Sequence, residues 1–469
     1  MLDRAADTFH WDVRVDDSFP RIEIESTEEE RRSRAERYPW ATGNVGLLRV
    51  LIVARDDARA RPPDAWSLLQ TARAMARGDE VLFGIGLDHV MTVNPITRSN
   101  PITRSNPITR SNPITRSNPI TRSNGFLVDA YADPGTGGRQ PIAFAGRPPH
   151  RADQPSGERR PHVGVIDTGC GKHDWFSDSF VHDGTSLGPH APIGHDGADT
   201  DPESVGDVGG PLDGVLDEAS GHGTFIVGLV HQGCPDADIW WWRAVDSDGT
   251  LAESDLLTVV AKVAALLRLP DTDPQRLTLD VLNLSFGYYH ESPKDEKFDP
   301  TFYELLAAIG RTGTVVVCSA GNDATARPMF PAAWSPHPGV ESIIRLDPGT
   351  TPIVTVGALN TNGVTDAIYC NAGPWIGVHR LGTSLVSTVP PFQAGLEPPA
   401  RLQAYGRQRE SIDPDDFRSG FAVWSGTSFA APVFAAELAE ALAPTLQKTE
   451  SWPEAVTRSS EVVERITSQ

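Results

Sequence analysis

Cysteine is scarce in this chain: four residues in 469, at positions 170, 234, 318 and 370, in no metal-ligand spacing. That argues against a disulfide-built scaffold and fits a reducing compartment, where free Cys packs as a small apolar residue. A contact between Cys170 and Cys234 is left open. Basic residues are outnumbered, with Lys and Arg at 41 against Asp and Glu at 62, a formal charge of -21. A nucleic-acid surface needs clustered Lys and Arg, so no such partner is expected. Long apolar runs are missing too. The nearest candidate, 256–269, carries Lys262 and Arg268 and falls short of the roughly 18 residues of a membrane span, so no membrane is expected either. Met1-Leu2-Asp3-Arg4 lacks the apolar core of a secretory signal, and the expected location is cytoplasmic.

Two more absences narrow the chemistry. Asp-Thr-Gly stands clearly only at 167–169, whereas an aspartic protease needs a second such carboxylate. The segment Ser425-Gly426-Thr427-Ser428-Phe429-Ala430-Ala431-Pro432 does not match the Gly-x-Ser-x-Gly elbow of α/β-hydrolases. What is present is that serine segment at the mouth of an apolar helix, with Val163-Gly164-Val165-Ile166-Asp167-Thr168-Gly169 and Gly221-His222-Gly223-Thr224-Phe225 upstream. Ser319-Ala320-Gly321-Asn322 forms a fourth motif. A serine hydroxyl is a weak nucleophile at neutral pH and needs a histidine base that is itself oriented by a carboxylate. Asp, His and Ser occur here in that chain order.

Together the four motifs resemble those of the subtilisin-like serine proteases, and the resemblance covers about residues 161–445. It implies a triad of Asp167, His222 and Ser428, with Asn322 donating to the oxyanion. It also implies a substrate cleft lined by Gly249, by Ser285, Phe286 and Gly287, and by Ala320 and Gly321, where an extended peptide pairs through its backbone. Those residues are mostly small or apolar, so the residue before the scissile bond should be uncharged or apolar. Phe429 stands where relatives often carry Met, which removes an oxidisable thioether, and Val433 stands where His is common. The implied function is a serine endopeptidase, an intracellular protein or peptide processing enzyme acting on a peptide or protein substrate. The alternative is a catalytically silent scaffold that binds peptides with the same fold.

Along the chain, 1–93 reads as a small α+β unit, either a prodomain or a recruitment module. Its first 46 residues look like a charged surface arm or short helix. A strand over 47–54, a helix over 63–76 and a second strand over 80–93 follow. Five copies of Asn-Pro-Ile-Thr-Arg-Ser then form a spacer, 94–124, whose single Ile per unit cannot build a core. Residues 125–160, rich in Gly, Pro and Arg, read as a linker. From 161 to 469, β-branched apolar runs alternate with helices. The predicted class is a doubly wound α/β fold, a mainly parallel sheet with helices on both faces. Active sites of such folds lie beyond the carboxyl ends of the strands, where Asp167 and Asn322 fall. An acidic insert, 194–218, holds Asp196, Asp199, Asp201 and Glu203. Calcium is the one cofactor it leaves open, none being required, but its spacing matches no calcium loop and a solvated acidic loop is the expectation. A second insert, 390–418, precedes Ser428 and is a candidate lid or specificity loop.

Overall fold

The computed structural model describes residues 1–38, 43–56, 61–76, 82, 84–93, 131, 137–188, 192–209, 212–292, 300–336 and 346–468. The hexapeptide spacer lies outside them. Seven strands, all paired in parallel, form the central sheet. Their spatial order is Val378–Leu381, Val354–Leu359, Val315–Ser319, Val281–Leu284, His162–Asp167, Asp238–Arg243 and Val181–Asp183. Alternation explains the two covered faces. Val315 and Val317 face one core with helices His222–Gly233 and Thr427–Leu442, while Val316 and Cys318 face the other with Glu253–Leu267 and Thr301–Gly310. Strands buried on both sides must be apolar at every position, which is why the inner ones stand out in the sequence. The strand order reverses around His162–Asp167, so Asp167 ends a strand at the switch point where such folds open a crevice.

The amino-terminal region divides in two. Strands Trp11–Val15 and Val50–Ala54 pair antiparallel, and helices Leu2–Asp7 and Ala65–Ala76 cover them around Trp11, Ala5, Leu68 and Ala72. The remainder, strands Ile22–Ile24 and Val45–Leu47 with helix Glu28–Arg37, is no surface arm. Ile24, Tyr38 and Val45 share the core of the large domain, and the helix docks through buried ion pairs. Arg34 and Arg37 reach Glu304 at 3.2 and 2.6 Å, Arg37 also meets Asp347 at 3.0 Å, and Arg268 meets Glu30 at 2.8 Å. A polar helix reads as exposed because sequence carries no sign of partners so far along the chain.

The strand expected over 80–93 is shorter, Val90–Thr92, and leaves its own unit to pair with Thr250–Ala252. Period-2 alternation reports burial and says nothing about which edge a strand joins. The expected linker is also part of the large domain from 137 onward. Gln140–Pro141 pairs with Ala422 and Val423, and the Arg139 guanidinium donates to the carbonyls of Ser220, Leu216 and Asp217. Among the described residues no helix is long and apolar enough to cross a membrane.

Candidate active site

Asp167 closes its strand, and its carbonyl is pinned by the N-H groups of Ala244 and Val245 from the loop after the neighbouring strand. His222 opens its helix after Gly221, whose φ of 84° is left-handed backbone that glycine tolerates without strain. Gly223 is needed for a different reason: a Cβ there would stand 2.0 Å from the carbonyl oxygen of Gly169. The two motifs can therefore touch, and His222 Nδ1 meets Asp167 Oδ1 at 2.6 Å with both side chains fully buried. Thr168 N donates to the same oxygen at 2.8 Å. Trp424 stands edge-on to the imidazole at 5.8 Å and Phe429 leans on it at 5.0 Å, which limits the ring to one orientation.

Ser428 lies in the first turn of helix Thr427–Leu442, where backbone N-H groups have no partner within the helix. Asn322 supplies one: its Oδ1 accepts from Thr427 N and Thr427 Oγ1, both at 2.9 Å. With that oxygen committed, the Asn322 amide nitrogen lies beside Gly426. Four residues after Ser428 comes Pro432, which has no N-H to give to the Ser428 carbonyl. Ser285 Oγ fills the gap, donating to that carbonyl at 2.9 Å, and Asn283 Nδ2 donates in turn to Ser285 Oγ at 2.9 Å.

The Ser428 hydroxyl donates to the carbonyl of Val93 at 2.7 Å and lies 3.2 Å from the carbonyl of Ser285. His222 Nε2 is buried and makes no hydrogen bond among the described residues. The chain's own segment thus stands between Ser428 and the outside. Thr92 and Gly287 exchange two backbone hydrogen bonds of 3.1 Å, and Val93 N donates to Gly249 O at 2.9 Å. Residues 90–93 lie as a strand between 249–252 and 287, with Met91 and Val93 buried and Val90 69% exposed.

Of the residues foreseen as cleft-lining, Gly249, Ser285 and Gly287 adjoin this segment or Ser428 directly. Phe286 belongs to the same apolar cluster as Met91 and Val93. Ala320 is buried in the cluster that holds Phe429, and Gly321 N donates to Thr427 Oγ1 at 3.1 Å. Cys170 and Cys234 are both free thiols. The insert before Ser428 forms an exposed hairpin, Arg401–Ala404 with Arg407–Glu410.

Glu203 escapes sequence reasoning altogether. It is not a solvated member of the acidic insert but a buried carboxyl beneath the Asp167 and His222 motifs, accepting from Thr224 Oγ1 and Gly223 N and in short contact with Thr168 Oγ1. Burial pushes its carboxyl up to about 8. Nothing in the insert's composition separates it from its exposed neighbours. Among the described residues no group of three or more His, Cys, Asp or Glu side chains could hold a metal ion.

A doubly wound parallel sheet with a serine at a helix mouth and a buried Asp–His pair at its carboxyl edge places the chain in the class of α/β serine peptidases. The subtilase family profile (Peptidase_S8) matches residues 158–461, and the chain belongs to that family. No curated protein matches the chain. Among solved structures it is similar to the crystal structure of a lanthipeptide protease, at 17% identity and a TM-score of 0.42, over 65% of this chain and 80% of that one. It is also similar to a cold adapted subtilisin-like serine proteinase, at 18% identity and a TM-score of 0.38, over 66% of this chain and 82% of that one.

Proposed function

We propose that the protein is a cytoplasmic serine endopeptidase that processes peptides or proteins, held latent by its own residues 1–93. The observation that carries this reading is the Ser428 hydroxyl lying 2.7 Å from the Val93 carbonyl, in a segment hydrogen-bonded like an added strand. In the proposed reaction Ser428 Oγ bonds to the substrate carbonyl carbon while its proton passes to His222 Nε2. Asp167 holds Nδ1-H and stabilises the imidazolium. The Asn322 amide donates to the oxyanion, His222 returns the proton to the departing amine, and water then releases the acyl group by the same steps reversed. The chemistry draws on side chains and backbone, with no cofactor required. The buried Val93 and Met91 favour apolar residues in the corresponding substrate positions, and four free cysteines fit a reducing compartment.

Latency gives the test. Purified parent chain, followed over time by intact mass, is expected to shorten by a cut between Val93 and Pro161, with Val93-Asn94 as the first bond to inspect. The Ser428→Ala chain is expected to stay full length. Equal lengths for the two at all times would refute self-processing.

A further inference from the structure

We propose that Glu203 is a positioning residue for the Asp167–His222 pair, acting in its neutral form as a donor to Thr168 and, through that hydroxyl, to Asp167. The inference rests on the assignment of Asp167 and His222 proposed above, and extends it to a residue outside the three motifs. Its basis is a count of hydrogens. Thr168 Oγ1 lies 3.2 Å from Asp167 Oδ1 and in short contact with Glu203 Oε1, so one hydroxyl faces two carboxyls. A hydroxyl has a single hydrogen and cannot donate to both. The backbone N-H of Gly223 already donates to the same oxygen at 2.8 Å, and no Lys, Arg or His makes an ion pair with Glu203 among the described residues.

A proton on Glu203 resolves the conflict. The Glu203 O-H then donates to Thr168 Oγ1, the Thr168 O-H donates to Asp167 Oδ1, and Asp167 Oδ1 holds His222 Nδ1 at 2.6 Å. The second Glu203 oxygen accepts from Thr224 Oγ1, which itself accepts from Gly171 N at 2.7 Å. Thr168 Oγ1 then accepts from Gly223 N and from Glu203 and gives its one hydrogen to Asp167 Oδ1, so the Asp167 and His222 motifs are tied together from below. Ionised Glu203 would instead compete with Asp167 for the Thr168 hydrogen and set a second buried negative charge beside it.

The charged and titratable groups around Glu203 come from five elements: Asp167 and Cys170 from strand His162–Asp167 and its loop, His222, Asp201 on its own loop, Arg243 and, farther off, Arg139. Neither guanidinium bonds Glu203 among the described residues: Arg243 donates to Gly197 and Thr200 and lies 3.8 Å from Asp201, and Arg139 donates to three backbone carbonyls. Burial, with Asp201 and Asp167 adding to it, keeps the Glu203 proton on to about pH 8.

The test follows the low-field Nδ1 proton of His222 by NMR in the full-length Ser428→Ala chain, from about pH 6 to about pH 10. Glu203→Gln keeps a donor without a titration, and Glu203→Ala removes the donor. The resonance is expected to shift in a step near pH 8 with Glu203 present, to persist without that step in Glu203→Gln, and to be lost in Glu203→Ala. In the active chain Glu203→Ala is expected to lower kcat about 10²-fold at unchanged KM, with Glu203→Gln restoring most of it and removing the decline in kcat above about pH 8. A step that survives in Glu203→Gln, a parent-like resonance in Glu203→Ala, or no resonance in the parent at any pH would overturn the proposal. Because the NMR readout needs no turnover, a chain that shows the step yet stays inactive once freed of residues 1–93 would sink the protease reading and leave the Glu203 assignment standing.

Discussion

At the scale of residues, the serine is held in place by repairs to the helix it opens. Pro432 costs the helix one backbone hydrogen bond, and the carbonyl it orphans belongs to Ser428 itself. Ser285 restores that bond from a neighbouring strand, tying the helix mouth to the cleft wall. Ser285→Ala leaves a buried carbonyl unsatisfied and is expected to lower stability by about 1–3 kcal/mol, read from denaturant unfolding of the Ser428→Ala chain. An unchanged midpoint would mean that water takes over the bond. Asn322 does two jobs at the same mouth, capping Thr427 with its oxygen and lying beside Gly426 with its nitrogen. Asn322→Ala is expected to lower kcat by about 10²–10³-fold with a smaller effect on KM, as for loss of one oxyanion donor. A loss confined to KM would remove Asn322 from the transition state. The grouping of Asp167 with His222 and of Asn322 with the Ser428 helix mouth was legible because the small residues that such close approaches demand leave a mark in the sequence. Glu203 was not, since a buried acid and a solvated one are spelled alike.

At the scale of elements, two amino-terminal pieces engage the large domain in different ways. Strand Val90–Thr92 joins by backbone pairing with Met91 buried in the core of the large domain, a mode open to exchange for an extended peptide with apolar side chains. Helix Glu28–Arg37 joins through a buried network in which Glu304 and Asp347 face Arg34, Arg37 and Arg311. Removing one partner of a buried pair strands the other, so Arg37→Ala is expected to destabilise the full chain by about 3 kcal/mol, measured by thermal melting. After self-processing, the 1–93 fragment is expected to co-elute with the large domain in gel filtration, and Arg37→Ala to release it. A fragment that separates from the parent at once would place the helix outside any lasting interface. The inner strands of the sheet were legible as continuous β-branched runs, buried on both sides. Edge strands Val181–Asp183 and Val378–Leu381 were not, being short and partly polar with His182 and His379-Arg380. The closing helix Trp452–Thr467, beyond the last helix expected from the sequence, opens on a capping box of Ser451 and Glu454 with Pro453 in its first turn.

At the scale of the whole molecule, the parallel sheet brings motifs far apart in sequence to one carboxyl edge, and the chain then lays residues 90–93 across that edge. The sheet was foreseeable because local patterning and layer packing agree. The covering segment was not, because its pairing partner is chosen by an open cleft that exists only once the sheet has formed. The same logic hid residues 137–160, whose Gly, Pro and Arg look like a tether until Arg139 meets the carbonyls before the His222 helix. The Ser428 hydroxyl bonded to Val93 and a His222 Nε2 with no partner among the described residues describe one state, a folded site with its serine turned to its own chain. The most direct measurement is fluorophosphonate labelling of the full-length chain and of the chain cut between Val93 and Pro161 and freed of its fragment, with the labelled residue located by mass spectrometry. Slow labelling of the first, rapid labelling of the second at Ser428 alone, and none in His222→Ala is the predicted result. Equal labelling of both forms, or none in the freed chain, would contradict a latent serine peptidase blocked by its own amino-terminal segment.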